Sequence, residues 1–135
     1  DLEAESRVVE SQELERIHRL KTGALMIGAA KCGAIIAGAS EPSIRAVSDY
    51  AAQLGLLFQI TDDLLDVTAT AEALGKTPGK DARAQKATDA SVYGIEAARQ
   101  RATLVHRQAC GALAQIDKPT GLLRAIADFI LERKA

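Results

Sequence analysis

The sequence predicts an all-α fold of the helical-bundle type, and three observations lead to that prediction. First, 47% of the 135 residues are hydrophobic, and most of these are Ala, Leu and Ile, which suit close-packed helices. Second, aromatic residues, which favour strands, make up only 3% of the chain. Third, the sequence contains no alternating strand pattern and no two-residue hairpin signal. The length suits one domain or part of one.

The first predicted helix spans residues 12–37 and has Ser11 as its N-cap. Its second half carries regularly spaced glycines, each of which costs up to ~1 kcal/mol of helix stability relative to alanine. These are Gly23, Gly28, Gly33 and Gly38. We expect the close approach of a neighbouring helix to compensate for that cost. Residues 23–39 are apolar apart from Lys31, but they fall short of the ~20 residues of a membrane span, so a buried helix of a soluble protein is predicted.

The second predicted helix spans residues 43–67 and begins just after Pro42, a residue that fits the first helical positions. A polar segment, residues 68–88, follows this helix. It is too long for a routine connection, and segments of this kind are usually functional or disordered.

The third predicted helix begins at Thr88 or Asp89, both of which are good N-cap residues, and reaches about residue 116. Pro119 follows and cannot continue a helix. The last predicted helix covers residues 121–133.

Charge and cysteine content narrow the class of protein. The formal net charge of -1 argues against nucleic acid as the main partner, because phosphate binding needs a net basic face. The acidic first residues lack the basic and apolar regions of a secretory signal, so we expect a cytoplasmic location without stable membrane insertion. Cys32 and Cys110 are isolated and lack metal-ligand spacing, so we expect two buried thiols.

The most specific feature is an acidic pattern inside the second predicted helix, residues 58–66, FQITDDLLD. Residues three or four apart share a helix face, so Gln59, Asp62 and Asp66 project together, and Asp63 is rotated by about 100°. Carboxylates at this spacing repel each other and are costly to desolvate. Water near the helix end would offset that cost, and so would a bound magnesium ion, which prefers carboxylate oxygens. The spacing alone leaves both interpretations open.

Basic residues lie on both sides of this acidic pattern. Downstream, within residues 75–86, a single acid, Asp81, is accompanied by four cations, namely Lys76, Lys80, Arg83 and Lys86. Three interpretations of these cations stay open. They are part of a solvated loop, they pair with the acidic helix, or they bind the oxygens of a diphosphate. Upstream, Lys21 and Thr22 precede Gly23. Either these residues bind a phosphate, or Lys21 is an ordinary surface residue.

Taken in order, these motifs resemble those of the trans-isoprenyl (polyprenyl) diphosphate synthases, above all the farnesyl and geranylgeranyl diphosphate synthases. Residues 21–25 (KTGAL), residues 55–66 (GLLFQITDDLLD) and the Gly-Lys pairs at 75–76 and 79–80 follow the family's order. The Phe-Gln-x-x-Asp-Asp-x-x-Asp pattern resembles the family's second aspartate-rich motif. The resemblance extends over essentially the whole chain, so residues 1–135 are expected to form the C-terminal half of the family's helical fold.

The resemblance implies a role for each of these residues. The magnesium ligands, direct or through water, would be Asp62, Asp63 and Asp66. The allylic diphosphate would be held by Lys21, Lys76 and Lys86. The residues expected to act in catalysis are Lys21, Thr22, Gln59 and Lys76. The implied reaction is the condensation of isopentenyl diphosphate with an allylic diphosphate, a step of isoprenoid biosynthesis.

The sequence departs from the family pattern in two places. The family's first aspartate-rich motif is absent together with the basic residues that bind isopentenyl diphosphate, and Asp62-Asp63 is the only Asp-Asp pair. We therefore expect one side of a two-sided magnesium site, no activity from this chain alone, and exposed apolar helix faces. A homodimer, or pairing with a missing N-terminal half, is expected. The second departure is Asp89, which stands where the family often has tyrosine.

Three functions stay open on the sequence alone. The first is a prenyltransferase, and the second is a non-catalytic partner subunit of such an enzyme. The third is a small helical interaction module whose acids only solvate a helix end. Product length is set in this family largely near the first aspartate-rich motif, so the sequence does not predict it.

Overall fold

The structure is a computed structural model that describes residues 9–14, 16–17, 19–73 and 94–134. All regular structure within these residues is helical, which confirms the predicted all-α fold. The elements with described bounds include the α-helices α1 (Ala24–Ile36), α2 (Glu41–Ala73), α3 (Ile95–Leu113) and α4 (Gly121–Glu132). Residues 9–14 and 16–17 are also helical, and a π-helix, Arg19–Gly23, leads directly into α1.

The first predicted helix is therefore present, but with a different start and an interruption. Ser11 lies within the helical residues 9–14, so its prediction as an N-cap is wrong. The π-helix, which has the wider i→i+5 hydrogen bonding, was not predicted. α1 ends at Ile36, and Gly38 follows with a φ of 70° that favours glycine. The N–H groups of Gly38 and Ala39 donate to the carbonyl oxygens of Ile35 and Ala34. This pattern is a Schellman motif, which satisfies the last carbonyl groups of α1.

Ser40 directly precedes α2 and caps its first turn. Its hydroxyl accepts a hydrogen bond of 3.4 Å from the backbone N–H of Ser43, as an N-cap side chain does. Pro42 follows in the first turn, as predicted. At its other end α2 runs to Ala73, six residues beyond the predicted end. The hydroxyl of Thr68 donates to the carbonyl oxygen of Leu64 within the helix, so this polar residue does not end it.

The third helix begins later than predicted. Gly94 has a φ of 83°, a left-handed conformation that cannot belong to an α-helix, and α3 starts at the next residue. A helix running without a break from Thr88 or Asp89 is therefore excluded, although these two residues themselves lie outside the described part of the chain. α3 ends at Leu113, and α4 begins at Gly121 as predicted.

The core lies on α2, which packs against α1, α3 and α4. One buried cluster joins α2 to α3 and α4 through Leu56, Leu57, Ile60, Ala102, Val105 and Ile130. A second cluster, further toward the start of α2, contains Tyr50, Ala109, Cys110, Leu113 and Ala127. The phenol of Tyr50 donates a 2.7 Å hydrogen bond to the carbonyl oxygen of Leu123. Burial, with a smaller contribution from the neighbouring Cys110, raises the pKa of Tyr50 from 10.0 to about 12.

α1 is less buried than predicted. None of its residues is fully buried, and Ile36 is 86% exposed. Among the residues that the structure describes, no neighbouring helix has an atom within 4 Å of a Cβ added at Gly28 or Gly33, so the predicted helix contact is not found at these two glycines. Cys32 is exposed, which contradicts the prediction for that thiol, whereas Cys110 is buried as predicted. The reason is that, within the described part of the chain, α1 packs against α2 and the π-helix and has no other helix on its remaining side.

Apolar side chains are exposed on both outer helices, in agreement with the expectation for part of a larger fold. On α1 and α4 these are Leu25, Ile35, Ile36, Leu122, Ile126 and Phe129. In the described part of the chain, no helix combines the length and the apolar character needed to cross a membrane.

Candidate active site

The candidate site lies where the π-helix crosses α2, and two glycines set the distance between the two backbones. A Cβ added at Gly55 would lie 2.9 Å from the Cα and 3.3 Å from the nitrogen of Gly23. Contacts under 3.0 Å are essentially never seen for real Cβ atoms, so only glycine fits at Gly55. The predicted compensation for helical glycine, a close neighbouring helix, is therefore confirmed at Gly23.

One turn along α2 from this contact, two predicted site residues meet. The Nε2 atom of Gln59 donates a 2.7 Å hydrogen bond to Oγ1 of Thr22. Gln59 is 6% exposed, and Thr22 is half-buried. Thr22 belongs to the π-helix, and π-turns within α-helices are frequent at functional sites. Lys21, the residue before it, is exposed on the same π-helix. The structure thus brings together two motifs that lie 37 residues apart in the sequence.

The three aspartates follow Gln59 along α2. Asp66 is exposed, and Asp62 has a side chain that is 50% exposed. Asp63 is half-buried, with its Oδ2 atom withdrawn from the surface. Because α2 continues to Ala73, the acids lie well before its last turn. Water at a helix end therefore does not explain these acids. The helix dipole does not penalise them either, because its effect is limited to the last turn.

Arg133 is a site residue that the sequence analysis missed. It follows α4 directly, and its Nη2 atom lies 3.5 Å from Oδ1 of Asp62. The same atom donates hydrogen bonds to Oγ1 of Thr61, at 3.0 Å, and to the carbonyl oxygen of Phe58, at 3.2 Å. The guanidinium also lies over the Phe58 ring, with Cζ 4.4 Å from its centre. No local pattern could have revealed it, because 72 residues separate it from Thr61.

Comparison with known proteins connects this geometry to a family. A family model described as polyprenyl synthetase matches residues 1–119, most of the chain. The chain belongs to the polyprenyl synthetase family. This confirms the family to which the sequence motifs pointed.

Two relatives illustrate the place of the chain within the polyprenyl synthetases. It is 43% identical over 134 residues to a dimethylallyltranstransferase from Fischerella ambigua, and this match covers 98% of the chain and 39% of the relative. It is 41% identical over 137 residues to the farnesyl diphosphate synthase of Escherichia coli, covering 98% of the chain and 46% of that enzyme. The chain therefore spans less than half the length of either relative.

The fold agrees with that of a solved member of the family. The structure of a decaprenyl diphosphate synthase from Rhodobacter capsulatus matches with a TM-score of 0.66 and 30% sequence identity. The match covers 88% of this chain and 48% of that one. The polyprenyl synthetase fold thus accounts for the arrangement of α1 to α4.

The donor set of this polyprenyl synthetase chain fits a hard divalent cation. The predicted ligands Asp62, Asp63 and Asp66 offer carboxylate oxygens from adjoining turns of one helix, which is the chemistry that magnesium prefers. The remaining predicted residues, Lys76 and Lys86, lie outside the described part of the chain.

Proposed function

We propose that this chain is part of a prenyltransferase that condenses isopentenyl diphosphate with an allylic diphosphate. The chain would supply the second aspartate-rich side of the site, where magnesium and the allylic diphosphate bind. The reaction is proposed for the cytoplasm, as predicted from the sequence.

One observation carries the proposal, the hydrogen bond between Gln59 and Thr22. Membership in the family alone implies the motifs, but not that they can act together. The hydrogen bond and the backbone contact between Gly55 and Gly23 hold the Lys21-Thr22 pair against the helix that carries the aspartates. A diphosphate bound there would meet a lysine from one helix and carboxylate-bound metal from the other.

Each residue then has a defined task. The lysines that would hold the diphosphate oxygens are Lys21, Lys76 and Lys86. The acids that would hold the metal are Asp62, Asp63 and Asp66. When bound, magnesium supplies charge neutralisation, which makes diphosphate a better leaving group. Thr22 and Gln59 would orient the diphosphate end of the substrate, while apolar surroundings keep water from the allylic cation that the isopentenyl alkene attacks.

Arg133 adds a cation next to Asp62. Its side chain is only 18% exposed and is fixed by two hydrogen bonds and the Phe58 ring. It therefore reduces the repulsion between the carboxylate of Asp62 and the neighbouring acids. At 3.5 Å the contact with Asp62 is long for a hydrogen bond, so the carboxylate can turn toward a metal without losing a strong partner.

The proposal includes a second polypeptide segment that completes the site. The predicted metal ligands all lie on α2, whereas a two-sided magnesium site needs carboxylates from a facing element. The exposed apolar residues of α1 and α4 support such a partner surface. Pairing with a second copy of this chain and pairing with a missing N-terminal half that carries the other aspartate-rich motif are the two arrangements proposed.

The direct test is calorimetric titration of a non-reactive allylic diphosphate analogue into the chain, with and without magnesium. We expect binding that requires magnesium and that Asp62→Asn lowers about tenfold or more, because a charged ligand to a buried diphosphate–metal group is lost. Asp49→Asn is the matched control, since Asp49 is an exposed acid on the same helix but far from the motif.

Circular dichroism of each variant separates loss of binding from loss of folding. Magnesium-independent binding, or equal binding by Asp62→Asn and the unchanged chain, would contradict the proposed role of the aspartates. If the folded chain binds no analogue at all, the site needs its other half, or the chain is a structural partner.

A further inference from the structure

A second group of potential metal ligands lies between α3 and α4. His106 and Cys110 are four residues apart on α3, so they share a helix face. Asp128 projects from the facing side of α4. The Nε2 atom of His106 lies 2.6 Å from Oδ1 of Asp128 and 3.6 Å from Sγ of Cys110. All three ligand atoms lie within 4.8 Å of one another.

The three atoms converge on one point instead of forming separate pairs. A single nitrogen, Nε2 of His106, faces both the carboxylate and the thiol. A simple link between helices would need only the contact between His106 and Asp128. The thiol adds nothing strong to that link, because it is a weak hydrogen-bonding group. Imidazole, thiolate and carboxylate together are the ligands of tetrahedral zinc sites.

The distances can be compared with such a site. In such a site the zinc–sulfur bond is about 2.3 Å, and the bonds from zinc to nitrogen or oxygen are about 2.0–2.1 Å. Tetrahedral geometry then places the sulfur about 3.6 Å from the nitrogen, and the nitrogen about 3.3 Å from the oxygen. The distance from Sγ of Cys110 to Nε2 of His106 is 3.6 Å, which already matches the sulfur–nitrogen separation of a zinc site. Asp128 would have to withdraw by about 0.7 Å from its 2.6 Å contact, and its side chain, 46% exposed, has room to do so.

The surroundings hold the ligands in place. Cys110 is 7% exposed and belongs to the buried cluster that contains Ala109 and Ala127, both 0% exposed. These two alanines bring α3 and α4 close together beside the ligands. The partly exposed Asp128 leaves a path for an ion to enter and a place for water as the fourth ligand.

We propose that His106, Cys110 and Asp128 bind a zinc-type divalent cation that joins α3 to α4. This site is separate from the aspartates of α2 in position and in chemistry, because a thiolate and an imidazole select zinc over magnesium. The bound ion stabilises the pairing of the two helices, because it binds the folded chain and has no preformed site in the unfolded one. In the sequence Cys110 lacks a complete set of metal ligands, because Asp128 joins it and His106 only when α4 packs against α3.

The test is a titration of the reduced chain with cobalt(II), a spectroscopic substitute for zinc, in the presence of excess magnesium. We expect a thiolate-to-cobalt charge-transfer band and intense visible bands of a tetrahedral ion, complete at one equivalent and displaced by zinc. Cys32→Ser should keep both, because Cys32 is an exposed thiol on another helix. Cys110→Ser should lose the charge-transfer band, and Asp62→Asn should leave it unchanged.

Two further measurements distinguish the loss of a metal ligand from the misfolding of a variant. Asp128→Asn changes a partly exposed side chain and should keep the fold while weakening cobalt binding about tenfold or more, since even outer partners of metal ligands are worth roughly 10–100-fold. Zinc at about 100 times its dissociation constant should raise the Tm of the Cys32→Ser chain by about 5 °C or more. An unchanged charge-transfer band in Cys110→Ser, or no band from the folded unchanged chain, overturns the proposal.

Discussion

Gly55→Ala is the substitution for which the structure makes the sharpest prediction. The added Cβ would lie 2.9 Å from the Cα of Gly23, and ordinary contact begins at 3.4 Å, so the two backbones must separate by about half an ångström. Neither neighbour is the flexible end of a side chain, because both short contacts are to backbone atoms of Gly23. The strain therefore spreads to the helix crossing itself.

The expected loss of stability combines opposing effects. Overpacking of this kind typically costs ~1–3 kcal/mol. Alanine recovers about 0.5–1 kcal/mol, because glycine weakens a helix interior. The separation also stretches the 2.7 Å hydrogen bond from Gln59 to Thr22 toward the long end of the usual range. We expect Gly55→Ala to lower the free energy of unfolding by about 1–2 kcal/mol.

Urea unfolding followed by circular dichroism measures this change, and Gly28→Ala provides the matched control. Gly28 is also a helical glycine, but an added Cβ would meet no atom within 4 Å. The same chemical change should therefore stabilise the chain there by up to ~1 kcal/mol. If Gly55→Ala is as stable as Gly28→Ala, the two backbones are not in contact, and the reasoning about the crossing is wrong.

Three other predictions concern the core and the C-terminal contacts. The folded chain holds the phenol proton of Tyr50 more tightly than the unfolded chain does, so the free energy of unfolding should fall by up to about 2–3 kcal/mol as the pH rises from 10 to 12. Urea unfolding measures this decline, and Tyr50→Phe should remove it. An equal decline in both proteins would refute the role of Tyr50. Leu57→Ala, at a position 0% exposed, should cost about 2–5 kcal/mol, whereas Leu104→Ala, 51% exposed, should change stability by less than about 1 kcal/mol, and chemical denaturation compares the two. Arg133→Met should lower the free energy of unfolding by about 1–3 kcal/mol, because its hydrogen bonds are lost. Arg124→Met, at an exposed position of α4, should lower it by nearly nothing. Similar midpoints for the two variants in thermal unfolding would show that the Arg133 contacts contribute little.

The sequence predicted the fold class and the two motifs of the site because both depend on local patterns. Helix propensity and the absence of strand signals are visible in any short window, and so is the spacing of Gln59, Asp62 and Asp66. Helix ends were predicted less well. The polar residues after residue 67 resemble a loop, but the hydroxyl of Thr68 is satisfied by a carbonyl within the helix.

The contacts that the sequence did not predict depend on how helices pair. Arg133 reaches Asp62 only because α4 packs beside α2, and no spacing rule connects residues so far apart. The same is true of Asp128 beside His106. The exposure of Cys32 follows from the single packed side of α1, which the apolar composition of that helix concealed.

The π-helix changes how the faces of the first helical segment relate to each other. In an α-helix each residue turns the next by about 100°, but the wider turn over Arg19–Gly23 breaks that count. A helical wheel drawn through residues 9–36 would therefore assign the wrong side chains to a common face. The i→i+5 turn takes in one extra residue, so removing one residue from this segment would restore regular winding and leave Leu14, now 2% exposed, facing the core as before.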